Sequence, residues 1–231
     1  MDDNTSISIF WFRQDLRVFD NPGLIKSIEY EKVLPIYILD DINSEQFRMG
    51  EASRWWLHNS LKSLSDSLDS KISFYCGNPL DIFKDLSDRF NVGGIFWNRC
   101  YEPWRINRDT EIKSYFTNKG IEIETFNSSL LWEPWEILKS DNTPYKVFTP
   151  FYRKGCLNNP SPRKPLAKPE LNSLIYDNEK SLKLDNLSLL PKYNWYIEMS
   201  KLWNPGESGA HKKLDIFLEK GLSGYKEGRN Y

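Results

Sequence analysis

Between Ile7 and Thr125 five short apolar runs are separated by four segments with helical signals. The runs are Ile7–Phe12, Val33–Leu39, Ile72–Cys76, Gly94–Trp97 and Ile121–Thr125. Helices are predicted over Pro22–Glu29, about Gly50 to Ser67, from Pro79 onward, and about Pro103 to Lys119. Leu57, Leu61, Leu64 and Leu68 form a stripe on the second helix, and such a stripe faces a sheet. Ile82, Phe83, Leu86 and Phe90 do the same on the third, and Ile112, Tyr115 and Phe116 on the fourth. Strands alternating with helices through short connections predict a parallel, right-handed, doubly wound α/β sheet of five strands, Rossmann-like in outline. This domain is placed at about residues 1–130.

The first run fixes where a ligand would bind. Ile7–Phe12 is apolar throughout apart from Ser8, as a strand covered on both faces is. Arg13–Asp20 follows as a charged loop, and Asn21-Pro22 opens a helix with Asn as the cap. In an open α/β sheet such a loop lies at the carboxyl edge, where ligands bind. Asp40 and Asp41 end the second strand at that edge. Asn98, Arg99, Tyr101 and Glu102 reach it from the fourth strand. Carboxylates, arginines and rings together suit a flat heteroaromatic ligand. Glu102 equally suits the cap of the helix opened by Pro103, and Arg13, Asp15 and Arg17 equally suit an ion-pair knot that shapes the loop.

A net charge of −1 excludes a global basic field for nucleic acid. Nine Trp suit stacking on flat rings, and suit core packing as well. Cys76, Cys100 and Cys156 are far apart and form no zinc pattern with His58 and His211. Scattered cysteines point to a reducing, cytoplasmic setting. No apolar run reaches the length of a membrane span. The polar Met1–Ser6 leads straight into the first strand, which argues against a signal or transit peptide. There is no G-x-G-x-x-G after a strand, no P-loop, no G-x-S-x-G and no H-E-x-x-H.

Residues 131–204 are rich in Pro, Asn, Ser and Lys and read as an interdomain linker. Its Arg163, Lys164 and Lys168 read as solvated charge, because no aromatic interleaves with them. From residue 205 the helical period returns. Ala210, Leu214, Phe217, Leu218 and Leu222 share a face, Glu207 and Ser208 are placed as caps, and Lys220 and Gly221 fall near the end. One helix is not a domain. It packs back on the α/β unit, pairs with another chain, or begins a further all-α domain.

Four ordered stretches resemble the DNA photolyase/cryptochrome family. Trp11-Phe12-Arg13, Asp15-Leu16-Arg17, Asp20-Asn21 and Leu24 match its WFR-x-DLR-x-x-DN-x-x-L opening. Phe96–Lys113 matches N-x-x-Y-E-P followed by R-D-x-x-I. Tyr145–Gly155 matches Y-x-V-F-T-P-F, and Gly206–Asn230 carries the G-E-x-x-A, L-x-x-F and G-Y-x-x-x-R-N pieces. The resemblance implies an amino-terminal domain that holds an antenna chromophore and a helical domain that holds FAD. It implies light-driven repair of cyclobutane pyrimidine dimers in damaged DNA, a carbon–carbon lyase reaction. Residues 205–231 would begin the helical domain, with Tyr225 near the flavin phosphate and Arg229 near the DNA backbone. The T-S-x-L-S phosphate loop and the tryptophan path of the family are not in this sequence. FAD binding and repair would therefore need the helical domain, on the same polypeptide or a partner chain, and no catalytic residue is assigned.

Arg13, Asp40, Arg54, Asn98 and Glu102 are the antenna candidates. The pterin contacts of one bacterial type, a His and an Asn-Glu pair, are replaced by Phe47 or Arg48 and by Trp104 and Arg105. Glu102 matches a pterin-contacting glutamate of another branch. Methenyltetrahydrofolate, a deazaflavin and a second flavin all stay open as the antenna. Two other readings stay open too, a cryptochrome-like blue-light receptor and a stand-alone module for a nucleotide-like ligand.

Overall fold

The structure, a computed structural model, describes residues 5–230, so most of the Met1–Ser6 leader segment and the terminal Tyr231 lie outside the described residues. The strands are β1 (Ile7–Phe12), β2 (Lys32–Leu39), β3 (Ser73–Cys76), β4 (Val92–Asn98) and β5 (Glu122–Phe126). The intervening helices are α1 (Pro22–Ser27), α2 (Glu51–Ser67), α3 (Pro79–Arg89) and α4 (Pro103–Thr117). All pairings are parallel, in the order β3-β2-β1-β4-β5. The fold is the doubly wound α/β sheet that the alternation predicts.

Period-two alternation divides the core into two layers. Phe10 and Phe12 of β1, with Tyr37 and Leu39 of β2, pack under Leu24 of α1 and Leu57, Leu61 and Leu64 of α2. Ile9 and Trp11, with Leu34, Ile36 and Ile38, face Phe83 and Leu86 of α3 and Ile112 and Phe116 of α4. The helices change side because the strand order reverses: β2 and β3 are laid to one side of β1, then β4 and β5 to the other. With right-handed crossovers, that reversal forces the second pair of helices onto the opposite face. Asn21 and Asn78 cap α1 and α3, accepting from Leu24 N at 3.1 Å and Leu80 N at 2.9 Å.

The chain beyond the sheet differs from the linker expectation. The proline-rich 159–170 stretch has no regular secondary structure, but residues 171–189 return to the α/β core. Ile175 N donates to Val33 O at 2.8 Å, and Leu182 N donates to Phe74 O at 2.8 Å. Leu174, Leu187 and Leu189 are buried with the α2-side layer. These leucines follow no helical or strand period, so the sequence pattern does not show their burial.

Four short helices follow the sheet: α5 (Phe148–Pro150), α6 (Ile197–Leu202), α7 (Glu207–Ile216) and α8 (Tyr225–Gly228). The predicted caps of α7 are corrected. Gly206 occupies the cap position with φ 104°, and no side chain caps the helix. Glu207 instead accepts from the backbone of residues 18 and 19. The left-handed glycine of this segment is Gly206 at its start, not Gly221 at its end. The stripe of Ala210, Leu214, Phe217, Leu218 and Leu222 is exposed, and only Gly209 of α7 is buried.

Candidate functional site

The strand order reverses at β1 and β4, and the crevice beside such a point receives ligands in open α/β sheets. A cleft of about 800 Å³ opens at that edge. Its floor is the end of β1 with Trp11 and Arg13, and one side is the end of β2 from Tyr37 to Asp40. Helix α2 adds Ser53, Trp56 and Ser60, α4 adds Trp104, Arg105 and Arg108, and α7 adds Glu207, His211 and Leu214.

A hydrogen-bonded knot shapes the floor. Asn98, at the end of β4, is 2 % exposed. Its Oδ1 accepts from Gly23 N at 3.1 Å, and its Nδ2 donates to Asn21 Oδ1 at 2.7 Å and to Asp15 Oδ2. Asp15 Oδ1 accepts from Arg13 N at 3.1 Å. One buried amide thus ties β4 to the loop after β1 and to the cap of α1.

Beside the knot runs a chain of alternating charges. Arg108 Nη1 donates to Asp40 Oδ2 at 2.9 Å. Arg108 Nη2 donates to Asp109 Oδ1 at 2.8 Å, and Asp109 Oδ2 accepts from Arg13. Two cations and two carboxylates leave this chain neutral. The Arg108 guanidinium lies 4.6 Å from the Trp11 ring centre and 5.2 Å from that of Trp104, a favourable placement over aromatic faces.

Four groups on the cleft are less committed. The Tyr37 hydroxyl makes no hydrogen bond among the described residues, and burial pushes its pKa up, so it stays a donor at neutral pH. Trp11 Nε1 and Arg13 Nε are buried without a hydrogen-bond partner among the described residues. Arg105 Nε has no hydrogen-bond partner, lying 3.6 Å from Glu102 Oε2. Trp56 and Trp104 enter from different helices, α2 and α4. The cleft thus offers a flat ligand aromatic side chains, an unmet phenol O–H and a cation.

The family model for DNA photolyase matches residues 8–170 of this chain. The chain belongs to the DNA photolyase family. It is 35% identical over 232 aligned residues to a deoxyribodipyrimidine photo-lyase of Agrobacterium fabrum, covering 98% of this chain and 48% of that protein. It is 29% identical to cryptochrome-1 of Arabidopsis thaliana, covering 96% of this chain and 33% of the relative. The crystal structure of a bacterial class III photolyase from Agrobacterium tumefaciens superposes with a TM-score of 0.89 at 36% identity, covering 99% of this chain and 48% of that one. An archaeal photolyase from Sulfolobus tokodaii, solved with two FAD molecules, shares the fold with a TM-score of 0.61 at 24% identity, over 80% of this chain and 41% of that one. The chain thus spans a third to a half of the length of these relatives.

Within this photolyase-family domain the sequence candidates separate. Arg13 and Asp40 line the cleft; Asp40 is spent in the charge chain, whereas Arg13 joins it through Nη1 and leaves Nε without a hydrogen-bond partner among the described residues. Asn98 lies in the knot and is not part of the lining. Arg54 pairs with Asp41 at 2.5 Å and donates to Met49 O at 3.1 Å, also off the lining. Glu102 stands at the N-cap position of α4, but its side chain makes no cap hydrogen bond. It accepts from Gln14 Nε2 at 3.1 Å and so braces the wall that Gln14 and Arg105 form. Arg99 and Tyr101 both turn to the buried Glu133, at 2.6 and 2.8 Å. Tyr225 and Arg229 lie on and just after α8, exposed, and do not reach the cleft. Tyr37, Trp56, Trp104 and Arg105 are cleft residues that the carboxylate-and-arginine argument passed over. The available signal was that Trp56 falls off the leucine stripe of α2, and that Trp104 and Arg105 open the helix beside Glu102. Among the described residues no cluster of metal-ligating side chains exists and no helix is long and apolar enough to cross a membrane.

Proposed function

We propose that this chain is the antenna-bearing part of a deoxyribodipyrimidine photolyase, and that its cleft holds a flat light-harvesting chromophore. The observation that carries the reading is the cleft itself: about 800 Å³ at the switch edge of the sheet, with Trp56 and Trp104 on its walls and the Tyr37 hydroxyl unmet. That volume falls within the range of small-molecule sites, about 300–1,000 Å³. A bound antenna absorbs near-ultraviolet or blue light and passes the excitation on. The chain's own residues bind it, orient it and keep water from its rings. The indoles stack on its faces, Tyr37 donates to a ring carbonyl or nitrogen, and Arg105 meets an anionic tail. The proposed parts of Tyr225 and Arg229, toward a flavin phosphate and the DNA backbone, belong to a helical domain carrying FAD. This chain's residues do not enclose a flavin there, since Tyr225 stands exposed on α8. Repair of pyrimidine dimers in DNA, in the cytoplasm, is proposed for the protein with that domain in place.

Adding methenyltetrahydrofolate, a deazaflavin or FMN to the purified chain tests the antenna reading. A shifted near-ultraviolet or blue band that co-elutes with the protein is expected for one of them. Failure of all three to bind would overturn it. The likeness to Arabidopsis cryptochromes, 29% and 32% identical, supports a second reading as a blue-light receptor with the same cleft. Light-dependent splitting of a thymine dimer by the chain together with its helical domain separates the two.

A further inference from the structure

Helix α7 begins 189 residues after Val18, yet it is tied to the loop that forms the cleft floor. Glu207 Oε2 accepts from Val18 N at 3.0 Å, and Glu207 Oε1 accepts from Phe19 N at 2.9 Å. Both carboxylate oxygens are engaged, and the side chain is only 15% exposed. Carboxylate bonds to backbone N–H groups are among the stronger hydrogen bonds. The flanking residues are fitted to the same seat. Gly206 has φ 104°, and a Cβ there would lie 2.4 Å from Ser63 Oγ of α2. A Cβ on Gly209 would lie 1.9 Å from Asn204 O. The start of α7 is therefore pressed against α2 on one side and clamped to the β1 loop on the other. The residues so held, Gly206, Glu207, Ala210, His211 and Leu214, line the cleft together with Arg17, Phe19 and Asp20 of the loop. Phe19 and His211 meet edge to face at 5.8 Å.

We infer that Glu207 is a positioning residue for the cleft: its carboxylate seats α7 as a wall, so ligand affinity depends on the Glu207 clamp. The inference rests on the chromophore reading of the cleft but names a residue and a dependence that the reading does not require. Beyond Gly209 the residues of α7 are exposed, and the Phe19–His211 ring contact is the further tie to the loop. Without the clamp the wall moves away and the closed cleft becomes a minor state.

The test compares Glu207→Ala and Glu207→Gln with wild type and with Glu219→Ala, a charge control on an exposed residue outside the cleft. Amide exchange at Val18 and Phe19 should accelerate about a hundredfold in Glu207→Ala, as a local opening without global unfolding does. Affinity for the probe that wild type binds, methenyltetrahydrofolate, a deazaflavin or FMN, should fall about tenfold, as when a tenth of the molecules stay competent. Glu207→Gln retains one acceptor and should fall between, and Glu219→Ala should match wild type. Thermal melts of the α/β domain should not change. Unchanged exchange would show that no clamp exists. Faster exchange with affinity within twofold of wild type would show that the clamp does not hold the wall. Either result overturns the inference. If wild type binds none of methenyltetrahydrofolate, a deazaflavin and FMN, the chromophore reading fails by itself, and the seating of α7 is decided by exchange alone.

Discussion

Asn98 and Tyr37 show how residues of one strand edge divide between building a site and serving it. Asn98 uses its amide on Asp15, Asn21 and Gly23, leaving nothing for a ligand. Tyr37 has the opposite balance, with an O–H that no described residue accepts. Tyr37→Phe removes one oxygen and leaves the ring packing intact. It should weaken chromophore binding by about 1 kcal/mol, the net value of a neutral hydrogen bond, with the melting temperature unchanged; equilibrium titration reads the loss. Asp177 supplies a pH prediction. Burial alone would raise its carboxyl, but the Arg89 fork, the Tyr75 hydroxyl and two backbone N–H groups hold it down at about 2, against 3.8 for a free carboxyl. The folded state then binds this proton less readily than the unfolded chain. The stabilisation, roughly 2 kcal/mol, is complete above about pH 4 and lost as pH falls toward 2. Asp177→Asn should flatten stability across that window and lower it at neutral pH, as urea melts at several pH values would show.

At the scale of elements, α1 depends on a side chain that is absent. Gly23 sits against β1 and β4, where a Cβ would come within 2.8 Å of the Phe10 ring and 2.9 Å of Asn98 Oδ1. Gly23→Ala should cost about 1–3 kcal/mol, the usual penalty for overpacking, measured by chemical denaturation. The elements of the sheet were legible because their periods are regular: β1 is recovered residue for residue, and the α2 leucine stripe is buried as drawn. The site was less legible. Charges at the edge marked the cleft, but a sequence does not show which charge already has a partner. Arg108, in the middle of α4, neutralises Asp40 across 68 positions, a pairing no local pattern carries. Arg108→Ala should cost about 3 kcal/mol, because it leaves the Asp40 carboxylate without its cation; a thermal melt reads the cost. The return of residues 171–189 was hidden for the same reason, since lone leucines give no period.

Over the whole molecule, burial falls off from the sheet outward. Trp203, Leu214, Ile216, Leu218, Leu222 and Tyr225 are all about half exposed or more, a cluster of large side chains on α7, α8 and the turns beside them. Exposed apolar surface of this kind binds dyes and promotes association. The chain should bind anilinonaphthalene sulfonate, and the pair Leu218→Ser and Leu222→Ser should cut the fluorescence by about half if this face supplies most of the bare apolar area.

The clamp between positions 18 and 207 also has a consequence in time. A ribosome releases β1 and its loop early, and the sheet can close while synthesis continues, because domains tend to fold as they emerge. The wall built by α7 arrives much later. A nascent chain would present a finished sheet with an open pocket, and pigment loading would wait on the last tenth of these residues.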